Sequence, residues 1–324
     1  MRLIQTQTTF PLSSVKPLEK VAQYRQRCLE AARQALAGGG TRRREKSPVT
    51  GQALEEAGAV EGFPYSLCRE SGSLFLRDLP PKKEWAKLLR EVSRFRRSPE
   101  AFYLDLAQSR VENVYRPKLE WIQETLRIQG LARPRLVEGV TPPSDLSQFL
   151  RESGSFAEVL TVDEMELAHG SASVPPWGEV QAVLLFESLD RVDDPEALLG
   201  AVAGRMAKGG LLFVTGLVAS GFDLAVLGLR NLYLYPPDRA NCFTLEGLRR
   251  LLDRFGFEPV EVSTPGVLDV QIIEEHRRLN PELELSSFER QLLSADPEAR
   301  AAFQSFLQEW GLSSFARVVA RKKE

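Results

Sequence analysis

Residues 180–216 read VQAVLLFESLDRVDDPEALLGAVAGRMAKGGLLFVTG and constrain the fold more than any other stretch. The apolar run 180–186 is too short for a helix, has no polar alternation, and reads as a buried strand. Asp194-Pro195-Glu196 follows an acidic loop, with a capping carboxylate and a proline suited to a first helical turn. An amphipathic helix runs from there to Lys208-Gly209-Gly210, where glycines end it. A second apolar run, 211–215, is a second buried strand. Two largely apolar strands joined by a helix form one unit of a doubly wound parallel sheet.

The same alternation extends from Arg135 onward. The pattern predicts strands at 135–138, 157–162, 180–186, 210–215, 258–263 and 313–320. It predicts helices at 144–152, 194–207, 244–255, 267–278, 286–293 and 297–310. An apolar insertion at 221–235 fits either a core-packing helix or a roof over a site. Upstream, Leu18, Val21, Ala22, Leu29, Ala32 and Leu36 recur at helical spacing over 17–37, behind a polar arm at 1–16. Gly38-Gly39-Gly40 and the basic linker 41–46 follow. Residues 47–80 read as a β-ribbon, and 82–97, 99–108 and 115–129 as helices. The expected division is 1–46 (helix and linker), 47–81 (ribbon module), 82–130 (helical linker) and 131–324 (α/β domain).

A net charge of −2 gives no global attraction to nucleic acid or anionic membrane. No apolar run approaches the ~20 residues of a membrane span. The N-terminus lacks an apolar signal segment. Three scattered cysteines, Cys28, Cys68 and Cys242, make no disulfide framework, so a reducing cytoplasm is expected.

Several motifs carry a resemblance from Ser47 to the end. They include Leu185-Phe186-Glu187, Asp194-Pro195-Glu196-Ala197-Leu198-Leu199 and Gly209-Gly210-Leu211-Leu212-Phe213. Pro236-Pro237, Asn241, Phe243-Thr244, Gly256-Phe257-Glu258 and the run 263–270 complete them. The chain resembles class I S-adenosylmethionine-dependent methyltransferases that carry an N-terminal zinc ribbon and a helical linker. That resemblance implies a seven-stranded, mostly parallel Rossmann-like sheet with an antiparallel last strand. It also implies a cofactor cleft bordered by Glu138, Gly139, Asp163, Phe186 and Glu187. Tyr233, Tyr235, Arg239 and Asn241 would be the substrate contacts.

The chain departs from the family at the places where chemistry is done. The zinc knuckles appear as Ser47-Pro48-Val49-Thr50-Gly51 and Cys68-Arg69-Glu70-Ser71-Gly72. Three of four thiols are hydroxyls, which do not ionise at neutral pH, so no metal is expected. The glycine-rich cofactor turn keeps Gly139 alone, and Pro142 and Pro143 remove two backbone donors. Asp163 matches the residue that accepts ribose hydroxyls, although an acid after a strand is also simply a solvated charge. The segment 164–179 is short for a helix and a strand, and should leave a loop carrying Trp177. Arg191 and Arg239 stand where the family has histidines, and arginine cannot act as a proton acceptor. His169 and His276 are expected to be solvated.

Three readings of function follow. The first is a catalytically degenerate pseudo-methyltransferase that acts as a binding or scaffold subunit, with no cofactor and a protein partner. Its contacts would be the helix 17–37, the ribbon and the basic helix 82–97, anchored by Trp85, Arg94 and Phe95. The second is an active S-adenosylmethionine-dependent methyltransferase of a small molecule or sugar with a divergent cofactor loop. A small-molecule sensor is a third.

Overall fold

The computed structural model describes residues 18–38, 40–98, 106–171, 174 and 177–323. The arm at 1–16 and most of the expected helix 99–108 lie outside the described residues.

The chain opens with helix α1 (Leu18–Ala37) and strand β1 (Arg42–Arg43). Strands β2 (Glu55–Val60), β3 (Phe63–Leu67), β4 (Leu74–Leu76) and β5 (Asp78–Leu79) follow, then helix α2 (Lys82–Arg96). A short helix α3 (Ala107–Arg110) passes through a π-helical turn at Val111–Tyr115 into α4 (Arg116–Ile128). Next come β6 (Arg135–Gly139), α5 (Asp145–Glu152), β7 (Glu158–Val162), α6 (Glu164–Ala168), β8 (Val180–Phe186), α7 (Ser188–Arg191) and α8 (Pro195–Arg205). β9 (Met206–Leu217), α9 (Phe222–Leu227), β10 (Asn241–Cys242), α10 (Leu245–Arg254) and β11 (Phe257–Ser263) continue the chain. α11 (Asp269–Leu279), α12 (Ser287–Ser294), α13 (Pro297–Glu309) and β12 (Phe315–Lys322) complete it.

The central sheet has the order β11-β12-β9-β8-β6-β7. β8 runs parallel to both β6 and β9, and β6 parallel to β7, whereas β12 lies antiparallel between β9 and β11. Among the described residues the sheet therefore has six strands, not the seven implied by the resemblance. Between Asp163 and Val180 the chain forms α6 and then brings Trp177 into the core, with no strand among the described residues. The connection is too short for a helix, a strand and two loops.

Both faces of the sheet are covered. Val183, Leu185, Leu212 and Val214 face one apolar cluster, and Ala182, Leu184, Phe186, Leu211 and Phe213 face another. This period of two within continuous apolar runs explains why the strands showed no polar face. The helix ends follow their caps: Asp194 accepts from Ala197 N, Ser144 from Ser147 N and Thr244 from Gly247 N.

The small module is not a free ribbon. Its antiparallel sheet has the order β10-β4-β3-β2, so a strand of the α/β segment completes it. The Tyr65 hydroxyl donates to the Arg239 carbonyl at 2.7 Å, and Thr244 Oγ1 donates to the Ser71 carbonyl at 2.6 Å. At the old knuckles, Gly51 (φ 74°) and Gly72 (φ 69°) keep turns that favour glycine. Thr50 Oγ1 lies 3.6 Å from Cys68 Sγ. Burial pushes the Cys68 thiol up, but hydrogen bonds from Ser47, Ser71 and Thr50 outweigh it and lower the thiol below its ordinary range. Hydroxyls thus surround the remaining thiol. Among the described residues no group of three or more His, Cys, Asp and Glu is placed to hold a metal ion. No described helix is long and apolar enough to cross a membrane.

Candidate functional site

A cavity of about 560 Å³ opens at the carboxyl ends of the central strands. That is where an open α/β sheet holds ligands, and the volume lies within the ~300–1,000 Å³ of ordinary ligand sites. Glu138, Phe186, Glu187, Tyr233, Tyr235 and Arg239 line it together. Gly139, Asp163 and Asn241 do not.

Each of the three has a physical reason to be elsewhere. The Gly139 carbonyl accepts the Ser188 hydroxyl at 2.7 Å, and an added Cβ would stand 2.8 Å from a Leu185 methyl. Asn241 is fully buried. It donates to the carbonyls of Leu189 and Val192 and accepts Arg44 Nη1 at 2.6 Å, which fixes β10 against α7. Asp163 is spent at the end of β7. Its Oδ1 caps α6 by accepting Met165 N at 2.9 Å and Glu166 N at 3.3 Å. Its Oδ2 accepts Arg90 Nε at 3.1 Å, while Arg90 Nη2 reaches Glu166 at 3.0 Å.

Helix α2 produces this arrangement. Beside Arg90, Ser93 Oγ donates to the carbonyls of Thr141 and Pro142, and Arg97 pairs with Asp145 at 3.2 Å. The turn after β6 is thereby held by α2. Pro143 lines the cavity, Ser93 and Arg96 of α2 line this side as well, and no described residue of 164–179 does.

The same helix removes Trp85 from the expected partner surface. Trp85 is 1% exposed and donates Nε1 to the Arg191 carbonyl at 3.0 Å. It shares an apolar stripe with Leu88, Leu89 and Val92 at spacings of three, four and seven, a signal for burial present in the sequence. Phe95 is half-buried and stacks on Tyr24 of α1 with centroids 6.1 Å apart. Arg94 is exposed. Arg96 pairs with Asp238 at 3.2 Å, so much of the basic face is consumed inside the protein. Large exposed apolar side chains lie instead near the C-terminus, at Phe288, Phe306, Trp310 and Leu312.

Arginines fill the two histidine positions structurally. Arg191 donates to the carbonyls of Glu187 and Phe186, which closes the turn after β8. Arg239 Nη2 donates to Glu187 Oε2 at 2.7 Å, and its Nη1 lies 3.5 Å from Asp190. Burial alone would lower the Arg239 pKa, but Glu187, Asp190 and Asp238 raise it above the usual range. Glu187 holds a left-handed backbone (φ 59°), a strained conformation that sets its carboxylate at the cavity. His169 is partly buried with Nε2 3.0 Å from Asp193. His276 is buried, not solvated, with Nε2 2.8 Å from the Arg230 carbonyl.

Lys118 of α4 and Arg317 of β12 are among the cavity residues that escaped the sequence reading. The Lys118 ammonium lies 4.7 Å from the Phe186 ring centroid, and the Arg317 guanidinium 5.1 Å from that of Trp121. Burial lowers Lys118 to about 8 and Arg317 to about 10. A charge inside the apolar strand FARVVARK was the available signal for Arg317.

A family model described as a methyltransferase domain matches residues 84–262, more than half of the chain. The chain belongs to this methyltransferase-domain family. Its strand order and cavity position agree with that membership. Solved structures are similar at low identity. An S-adenosylmethionine-dependent methyltransferase from Thermotoga maritima is 18% identical, with 74% of this chain and 99% of that one covered at a TM-score of 0.38. Phosphoethanolamine N-methyltransferase 2 from Haemonchus contortus, solved with S-adenosyl-L-methionine, is 14% identical, with 60% and 49% covered at 0.35. No curated protein matches.

Proposed function

We propose that this methyltransferase-domain protein is catalytically degenerate and works as a binding subunit. The observation that carries the reading is the engagement of Asp163 by Arg90 and by the first turn of α6. A carboxylate accepts two ribose hydroxyls only while its lone pairs face the ligand, and Asp163 lies outside the cavity wall. Pro142 and Pro143 add to this by removing backbone donors from the cofactor turn. The residues present therefore do not fit S-adenosylmethionine in the pose that the resemblance implies. Arg191 and Arg239 supply no proton acceptor in place of the family's histidines. Three free, buried cysteines accord with a cytoplasmic setting. A protein partner would find its apolar contact at Phe288, Phe306 and Trp310, not at Trp85.

The test is calorimetric titration with S-adenosylhomocysteine. No binding heat is expected from the wild type. Low-micromolar binding abolished by Asp163→Ala would overturn the reading. It would favour an active methyltransferase of a small molecule or sugar, with Tyr233, Tyr235 and Arg239 as substrate contacts. That second reading draws support from the preserved cavity volume.

A further inference from the structure

Lys118, half-buried, and Arg317, buried, share a property unusual for cations inside a protein. Among the described residues neither side chain has a hydrogen-bond or ion-pair partner; each has only an aromatic ring. Arg317 is 8% exposed, lines the cavity, and its Nε is buried without an acceptor. Buried polar groups are almost always satisfied, and an unpaired buried charge is costly. The rings are themselves joined, because Trp121 stacks on Phe186 with centroids 6.0 Å apart. A cation thus sits at each end of one aromatic platform.

The acids that act on Lys118 are already engaged. Glu187 holds Arg239, and Glu138 accepts the hydroxyls of Ser144 and Ser147. Glu261, the acid that acts on Arg317, accepts Trp121 Nε1 at 2.7 Å and Thr125 Oγ1 at 3.3 Å. Arg317 also repels Lys118, so an anion near both would relieve that repulsion as well as satisfy the donors. Apolar wall is available at Val267, Leu268 and Ile272.

We infer that the cavity takes an organic anion, its carboxylate or phosphate group bound by Lys118 and Arg317 and its apolar body lying against Phe186 and the wall of Val267, Leu268 and Ile272. This rests on the reading of the cavity as a binding site that does not serve S-adenosylmethionine. The two cations supply charge-assisted donors, and Arg317 presents a planar fork suited to an oxyanion.

The test uses 1-anilinonaphthalene-8-sulfonate, an aromatic anion, with neutral N-phenyl-1-naphthylamine as its uncharged counterpart. The wild type should bind the anionic dye one to one. Lys118→Met and Arg317→Met should each weaken it about tenfold, the effect of losing a charge-assisted hydrogen bond. Arg317→Lys, which keeps the charge but not the fork, should lose less affinity than Arg317→Met, and the neutral dye should not distinguish the proteins. Octanoate or octyl phosphate should displace the anionic dye, the stronger competitor naming the headgroup. Thermal melts of the variants check folding, and Lys118→Met, on a half-exposed residue, covers a folding failure at Arg317. Absence of dye binding to the wild type overturns the inference. So do equal affinities in all variants, or failure of both competitors. These outcomes are separate from those of the S-adenosylhomocysteine titration, whose diagnostic residue is Asp163.

Discussion

The Arg90 guanidinium stands 3.1 Å from the Asp163 carboxylate, bridging helix α2 to the end of strand β7 across 73 residues of sequence. The same carboxylate caps α6, so a single side chain joins the linker helix to the sheet and starts the next element.

Asp163→Ala should therefore act first on stability. Loss of the cap is worth about 1 kcal/mol, and Arg90 is left with Glu166 alone. Asp163→Asn keeps a good cap and should cost less. Urea midpoints of the two variants measure this; equal midpoints for wild type and Asp163→Ala would contradict the capping role.

Trp85→Ala should be severely destabilising, by about 3–5 kcal/mol, because it empties a core site and removes the donor to the Arg191 carbonyl. Arg94→Ala, on an exposed residue of the same helix, should stay within about 0.5 kcal/mol. Chemical denaturation of both separates core from surface. Near-equal effects would place Trp85 outside the core.

Stability should depend on pH through Asp190. Burial raises its pKa to about 7; Arg239 pulls it down and Glu187 pushes it up. Unfolded, the carboxyl titrates near about 3.9. The folded value is the higher, so its contribution to stability is full below about pH 4 and is lost as pH rises through about 7. Asp190→Asn, which still accepts Leu217 N, should flatten that fall. Unfolding curves for both proteins at about pH 5 and about pH 8 test it; identical slopes would rule Asp190 out as the cause.

The small sheet should stand without metal. Treatment with a chelator should leave the melting temperature unchanged, because hydroxyls replace three of the four thiolate positions around Cys68. Stoichiometric zinc in the pure protein, or a large drop in melting temperature on chelation, would reverse this conclusion.

Local patterns in the sequence determined the elements. The run 180–186 is strand β8 as expected, and Asp194-Pro195 opens α8 where its capping chemistry requires. The antiparallel β12 was legible because the resemblance supplied a topology for it. Tertiary structure decided what those patterns do not encode. It seated Trp85 in the core, turned Arg90 onto Asp163, and recruited Asn241-Cys242 to complete the small sheet. It also brought Lys118 and Arg317 to the two ends of an aromatic pair. Capping and periodicity act over a few residues and are written in the local sequence. Whether a charge meets an acid, a ring or an empty cavity depends on segments distant in the chain, and is fixed only when the sheet and its helices pack.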